Sequence, residues 1–409
     1  MRTTSANQFD NAIVNLQRRQ SEMSDAQNKL TTGKRVTVAS DDPVAAARAE
    51  RALSAIARGD ANQRGLNASR NAMTLSESSL GEAVELLQQA RETLVAAGNG
   101  SYSDIERRAL VNKLREIRSQ LLTTANRGDG GGGYLFGGQG SSSTPPFVDQ
   151  PGGVAFIGQG GETQASSSES MGLTIDGALI WLKSRTGNGV FETSPQATNN
   201  GNAWITSGSI TQPSALPYPA APDTTPPSYS IVFTITGTTT TYDVLEDGNA
   251  IASGQPFSNG NSIPIPGRGM EVAISGAPAN GDTFDIQQST NTLSVFDTLD
   301  TAIEQLSQVS QSAAQAQQAV NTGMTKIDSV LNNVQAARSA VGESLNRLDG
   351  LETRISSLKL SAETTRSEAE DLDMVKAISD FKAKNVGYEA ALQSYAMVQR
   401  LSLFNYINS

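Results

Sequence analysis

The chain has 409 residues, 37% hydrophobic and only 5% aromatic, with 41 acidic against 31 basic side chains and a formal net charge of −10. It contains neither Cys nor His, which removes Cys nucleophiles, His bases, Cys/His zinc sites and disulfides; the acidic balance does not favour nucleic acid or an anionic membrane as partner. The length allows two or three domains, and the lean apolar content suits long helices combined with Gly/Ser/Thr-rich β structure.

No apolar segment follows the first eight residues, so no cleavable secretory signal is expected, and no run of eighteen apolar residues predicts a transmembrane helix. A first helix is predicted from about residue 5 to 32. Phe9, Ile13, Leu16, Met23 and Leu30 follow three-and-four spacing, and Gly33 stands where a left-handed C-terminal cap belongs. Residues 34–40 read as extended or turn, after which Asp42 is an N-cap and Pro43 the first residue of a new helix. That helix carries Leu66, Met73, Leu80, Leu87 and Leu94 at every seventh position. Small residues lie three positions later (Ser69, Ser76, Ala83, Ala90 and Ala97), a large-with-small alternation that permits close helix approach. Gly98-Asn99-Gly100 stops it. Ser103 and Glu106 form a capping box for a third helix with the stripe Leu110, Leu114, Ile117 and Leu121.

From Tyr134 to about Gln288 helical periodicity vanishes. Strands are predicted at 154–157, 173–175, 229–236, 241–245, 270–274 and 283–286, with turns at Asp247-Gly248, Asn259-Gly260 and Asn280-Gly281. Between residues 140 and 290 twelve acids face three bases, Lys183, Arg185 and Arg268, so this β region carries nearly the whole net charge and reads as a solvent-facing domain.

The longest pattern follows. Leu299, Leu306, Ala313, Val320, Ile327, Val334, Val341, Leu348, Ile355 and Ala362 are all apolar and all seven apart. The spacing predicts one supercoiled helix from near Phe296, on the order of 95 Å long, with the Leu66–Leu94 stripe as its partner in the same chain. After a polar stretch, a last helix carries Met374, Ile378, Phe381, Tyr388, Leu392 and Tyr395 and ends in an apolar run that includes Leu401 and Phe404.

Candidate chemistry is sparse. Gly130 to Gly133 lacks the Gly-Lys-Ser/Thr ending of a phosphate loop and follows no strand, so it reads as a hinge. Asp41-Asp42 reads as capping charge rather than a cation site. Arg58-Gly59-Asp60 and Arg127-Gly128-Asp129 read as chance tripeptides. A glycan hydrolase would need two carboxylates across a cleft, which the sequence does not place. The two terminal helices have one thin stripe each and bury little by pairing, which points to ordering by neighbouring subunits.

Leu30-Thr31-Thr32-Gly33-Lys34-Arg35-Val36, followed by Ala39-Ser40-Asp41-Asp42-Pro43-Val44-Ala45-Ala46-Ala47, resembles the N-terminal signature of the flagellin superfamily. The Asp-Asp-Pro-Val-Ala-Ala form is similar to that of its hook–filament junction members. Tyr134-Leu135-Phe136-Gly137-Gly138 and the segment from Met397 to Ile407 fit the same resemblance, which covers both helical ends. It implies a structural adaptor, not an enzyme and without a cofactor or metal. Such a protein is exported unfolded through the flagellar type III apparatus, with a cytoplasmic chaperone on its C-terminal region. It then assembles as a ring between hook-associated protein 1 and flagellin.

The expected fold is a long antiparallel helical coiled-coil bundle built from both chain ends, with an inserted antiparallel β domain. Residues 1–45 with 365–409 are expected to form the assembly helices, 46–137 with 290–364 the rod-like bundle, and 138–289 the outer β domain. Phe9, Ile13, Leu16, Leu392, Tyr395, Leu401 and Phe404 are the expected assembly contacts. Leu66, Met73, Leu80, Leu87, Leu94, Leu306, Val320, Ile327, Val334, Val341, Leu348 and Ile355 are the expected bundle core. A filament-forming flagellin, and a secreted β-domain adhesin or carbohydrate binder on a helical stalk, are the alternatives.

Overall fold

The computed structural model describes residues 5–98, 104–139, 144–165, 169–219, 225–308 and 313–407, and of 5–9, 104, 313–314 and 398–407 the backbone alone. In chain order the elements are α1 (Ser5–Thr32), α2 (Pro43–Ala97), α3 (Asp104–Ala125), β1 (Phe147–Gln150), β2 (Gly153–Phe156), the short α4 (Gly177–Trp181), β3 (Phe191–Pro195), β4 (Asn202–Ile205), β5 (Ser209–Ile210), β6 (Tyr229–Thr236), β7 (Thr239–Glu246), β8 (Asn249–Pro256), β9 (Ser262–Ile265), β10 (Met270–Ala277), β11 (Thr283–Gln288), α5 (Val295–Ser307), α6 (Ala313–Glu370) and α7 (Met374–Ile407). Two compact units result, one of Met1–Arg64 with Gly350–Ser409, the other of Gly65–Asp349.

In the second unit α2 and α6 run antiparallel. Leu66, Met73, Leu80, Leu87 and Leu94 are buried, as are their small companions Ser69, Ser76, Ala83, Ala90 and Ala97. On the facing helix Val320, Ile327, Val334, Val341 and Leu348 are buried. Approach is close enough that a Cβ at Gly323 would lie 2.5 Å from a Leu94 methyl. Ion pairs flank the seam at Arg70–Asp349 (2.7 Å), Glu77–Arg338 (2.6 Å) and Arg91–Asp328 (2.7 Å), with one number rising as the other falls.

The single helix expected from Phe296 to Ala362 is two helices. Gln308 leaves helical geometry with ψ 134°, and its N–H turns back to the Gln305 carbonyl at 3.4 Å. The α5 helix, with Leu299 and Leu306 buried, packs against Val111, Leu114, Ile117 and Leu121 of the α3 layer rather than extending α6. Counting sevens is blind to this break, because residues 307–312 fall wholly between the stripe positions Leu306 and Ala313. Ser103 of the expected capping box lies outside the described residues.

The β domain has two sheets around one core. One runs β3-β11-β6-β7-β8; the other is built on β10, which pairs with β4 and β5 on one edge and β9 on the other. Alternation places Tyr229, Ile231 and Phe233 of β6, Met270, Val272 and Ile274 of β10, and Phe284 and Ile286 of β11 in that core. Asp247 (φ 49°) and Gly248 (φ 83°) make the two-residue turn between β7 and β8. The strand expected at 173–175 is irregular: its N–H groups go to Thr163 and Leu135 carbonyls in separate segments, not to a ladder. The β1–β2 hairpin packs separately, with Phe147, Trp181 and Phe296 meeting at centroid distances of 6.2 to 6.4 Å. Arg118 ties this region together, forking onto Asp149 at 2.8 Å and reaching Asp300 at 2.6 Å.

Gly130 to Gly133 is a filled turn. The Asp129 carboxylate accepts from the N–H groups of Gly131 (2.7 Å) and Gly133 (2.9 Å), so the chain's own anion occupies the donors a phosphate would need. Asp60 of the first tripeptide is bound by Lys359 at 2.7 Å, and Arg127 of the second pairs with Glu82.

Candidate assembly surface

The α1 and α7 helices pair with each other. No side chain described on either helix is buried. Ile13 and Leu392 are each 39% exposed, and Leu16 and Tyr395 are half-buried. The side chains of Phe9, Leu401 and Phe404 lie outside the described residues. Val14, Val375, Val386 and Met397 are also exposed. A fully buried Leu or Phe contributes ~1.5–3 kcal/mol, and these side chains realise only part of that, whereas ordering costs ~1–2 kcal/mol per residue in backbone entropy. The pair therefore leaves much of its described apolar surface uncovered.

Its base is a polar junction. Gly33 (φ +70°) caps α1 by donating to the Lys29 carbonyl at 2.9 Å. The next residues bridge to the far end of the chain: Arg35 N–H donates to the Glu370 carbonyl (2.6 Å) and Leu372 N–H to the Gly33 carbonyl (3.0 Å). Lys34 Nζ meets Glu370 at 2.7 Å, and Arg35 spans the Ala369 carbonyl (2.8 Å) and Asp42 (3.1 Å). Asp42 accepts from Val44 and Ala45 N–H at 3.1 and 3.0 Å, capping α2, and Asp373 caps α7 through Val375 and Lys376, both at 3.1 Å. Beneath them Val36, Ala45, Ala49 and Ala369 form a small apolar cluster.

Asp41 accepts the Thr37 N–H (2.9 Å), its hydroxyl (3.0 Å) and the Val38 N–H (3.3 Å). These bonds, the Thr37 N–H foremost, hold its carboxyl below the usual 3.8, and the Ala45 N–H and then Arg35 do the same for Asp42. A carboxyl lowered on folding stabilises the folded form above the unfolded pKa, and that contribution is lost as pH falls through the folded one. Pepsin cleavage within 33–42 should therefore rise sharply below about pH 4. With Asp41→Asn/Asp42→Asn the rise should flatten. An unchanged pH profile in that variant would show that other groups control the junction.

Among the described residues no group of three or more carboxylates is arranged to hold a metal ion, and no helix is long and apolar enough to cross a membrane. Sequence reasoning selected apolar positions at the termini and passed over Lys34, Arg35, Glu370 and Asp373. Lys34 and Arg35 meet residues 369–370 more than three hundred positions away, which no local spacing signals, whereas Asp373 acts on the N–H groups two and three residues on, an N-cap that local spacing could have found.

A profile of the bacterial flagellin N-terminal helical region matches residues 5–141, and one of the flagellin C-terminal helical region matches 324–407; together they span more than half of the chain. The chain belongs to the bacterial flagellin family, a family of structural rather than catalytic proteins. It is similar to flagellar hook-associated protein 3 of Escherichia coli K12, 24% identical over 376 residues that cover 92% of this chain and 90% of that one. Its identity to the Salmonella typhimurium LT2 protein of the same name is 34% over 204 residues, 47% of this chain and 60% of that one. Among solved structures, the flagellar junction protein FlgL from Legionella pneumophila superposes with TM-score 0.67 at 28% identity, covering 79% of this chain and all of that one. FlgL of Xanthomonas campestris gives 0.67 at 29%, covering 78% and 99%.

Proposed function

We propose that this chain is the adaptor between flagellar hook and filament, polymerising as a ring through its terminal helices. The observation that carries the reading is the contrast in burial: α2 and α6 have fully buried seams, whereas α1 and α7 pair without one buried described side chain. A pair of this kind orders when a neighbour supplies the missing apolar face, so ordering and assembly are coupled. Residues 1–45 with 365–409 are the assembly helices of this reading, 46–137 with 290–364 the rod, and 138–289 the outer domain. Ile13, Leu16, Leu392 and Tyr395 are its contacts, with Phe9, Leu401 and Phe404. The partners are further copies of the chain, hook-associated protein 1 on the hook side and flagellin on the filament side. A cytoplasmic export chaperone takes the C-terminal region before export.

Limited proteolysis of the soluble chain tests the coupling. Cleavage within 5–32 and 374–407 should run on the order of tenfold faster than within 65–97; equal protection would remove the basis of the proposal. Seeding on filament fragments separates the adaptor from a filament-forming flagellin, since the adaptor arrests after one layer and a flagellin grows on.

A further inference from the structure

The α1·α7 pair lacks the feature that normally fixes the register of two helices. Its half-buried apolar positions repeat every seven residues, Leu16, Met23 and Leu30 on α1 against Phe381, Tyr388 and Tyr395 on α7. A slip of one heptad sets like against like, so apolar packing discriminates little between registers. Of two polar rungs the first is not degenerate, while the second, to a main-chain carbonyl, follows the same register without selecting it. At one, the Arg19 side chain lies across α7 at Gly387, where a Cβ would sit 2.8 Å from Nη1. At the other, Lys384 Nζ reaches the Glu22 carbonyl at 3.5 Å. Both rungs share one register, and it is continuous with the Lys34–Asp371 bridge at the junction. Gly387 is the only glycine in α7, and α1 has none, so this fit exists in one register alone.

We infer that Arg19 and Gly387 are register-determining residues of the terminal pair, a cation-in-notch lock that sets which turn of α1 meets which turn of α7. Its consequence for ring building rests on the assembly reading above; the lock itself is a property of the single chain. A register error would present Ile13 and Leu16 to a neighbour displaced by two helical turns.

The absence of cysteine makes the test direct, because introduced pairs report alone. In the full-length chain, Leu16→Cys with Ala391→Cys marks the observed register, and Leu16→Cys with Val398→Cys or Phe9→Cys with Ala391→Cys marks a heptad slip in either direction. Slow oxidation traps pairing whatever fraction of chains is paired at one moment. The native pair should exceed either slipped pair about tenfold, following the single-register specification that a lone polar position gives helix pairs. Arg19→Ala should bring the ratio to within about threefold, and Arg19→Lys should restore most of it. Gly387→Ala raises helix propensity yet should lower the ratio, opposite to what a merely structural glycine would do. A ratio unchanged in Arg19→Ala, or raised in Gly387→Ala, overturns the inference. Ring formation is read separately by adding each variant to hooks that carry the preceding ring. Slipped variants that still build the ring would sink the assembly reading and leave the lock standing.

Discussion

Replacing Leu80 by Ala is expected to lower the stability of the Gly65–Asp349 unit by about 4 kcal/mol, the upper part of the range for a buried leucine whose surroundings relax only partly. Leu80 has no exposed surface, and its seam is closed on α2 by Ser76 and Ala83, themselves without exposed surface. Helices held this close by small residues have little freedom to collapse into the space a leucine leaves. The melting temperature should fall on the order of 10 °C, read by circular dichroism. Leu16→Ala on α1 is the control: a half-buried side chain on a pair with no core should leave the same transition within about 1 °C. Equal shifts from both would mean that the terminal pair carries a core of its own.

The second large effect belongs to Asp282, 3% exposed at the end of the β10–β11 turn. Its carboxylate accepts from the N–H groups of Ala279 (2.7 Å), Asn200 (2.9 Å) and Gly201 (3.1 Å), joining the β3–β4 loop to the β10–β11 turn beyond the ends of the ladders that flank them. Asp282→Ala would strand three donors, each bond to a charged acceptor being worth about 1.5–3 kcal/mol. A loss on the order of 4 kcal/mol is expected, with rapid amide exchange at residues 199–201. Asp282→Asn keeps the shape but turns an NH2 toward donors, and should recover no more than about half. Slow exchange retained in Asp282→Ala would show that the loops are held by something else.

The helical ends were legible because their signals are local. The α1 limits, the Gly33 cap and the Asp42-Pro43 restart are each written within a few residues, and the Leu66–Leu94 stripe needs only a count of sevens. The break after Ser307 was not legible, since it is decided by α5 finding α3 and not by any change in period. In the β domain, β6 and β11 were visible because they are buried on one face and alternate. By contrast β8 is an edge strand with most of its side chains exposed, so nothing forces apolar alternation onto Asn249–Pro256. Of the α1·α7 pair the apolar stripes were readable. The polar half, Arg19 against Gly387 and Lys34 against Glu370, depends on an antiparallel register that only the folded chain supplies.

One further consequence lies in how α6 holds the inserted region. Asn333 donates to the carbonyls of Leu179 (3.0 Å) and Ile180 (2.9 Å), Ser329 to that of Arg185, and Gln318 accepts the Ile205 N–H at 2.8 Å. Every one of these grips falls on a peptide group. These hydrogen bonds thus read the path of the insert's main chain rather than the identity of its side chains. The insert can be recoded at its surface, or exchanged for another that brings backbone to the same points, without rewriting the helix that carries it. The chain in effect separates a handle that grips backbone from a face whose polar side chains those grips do not read.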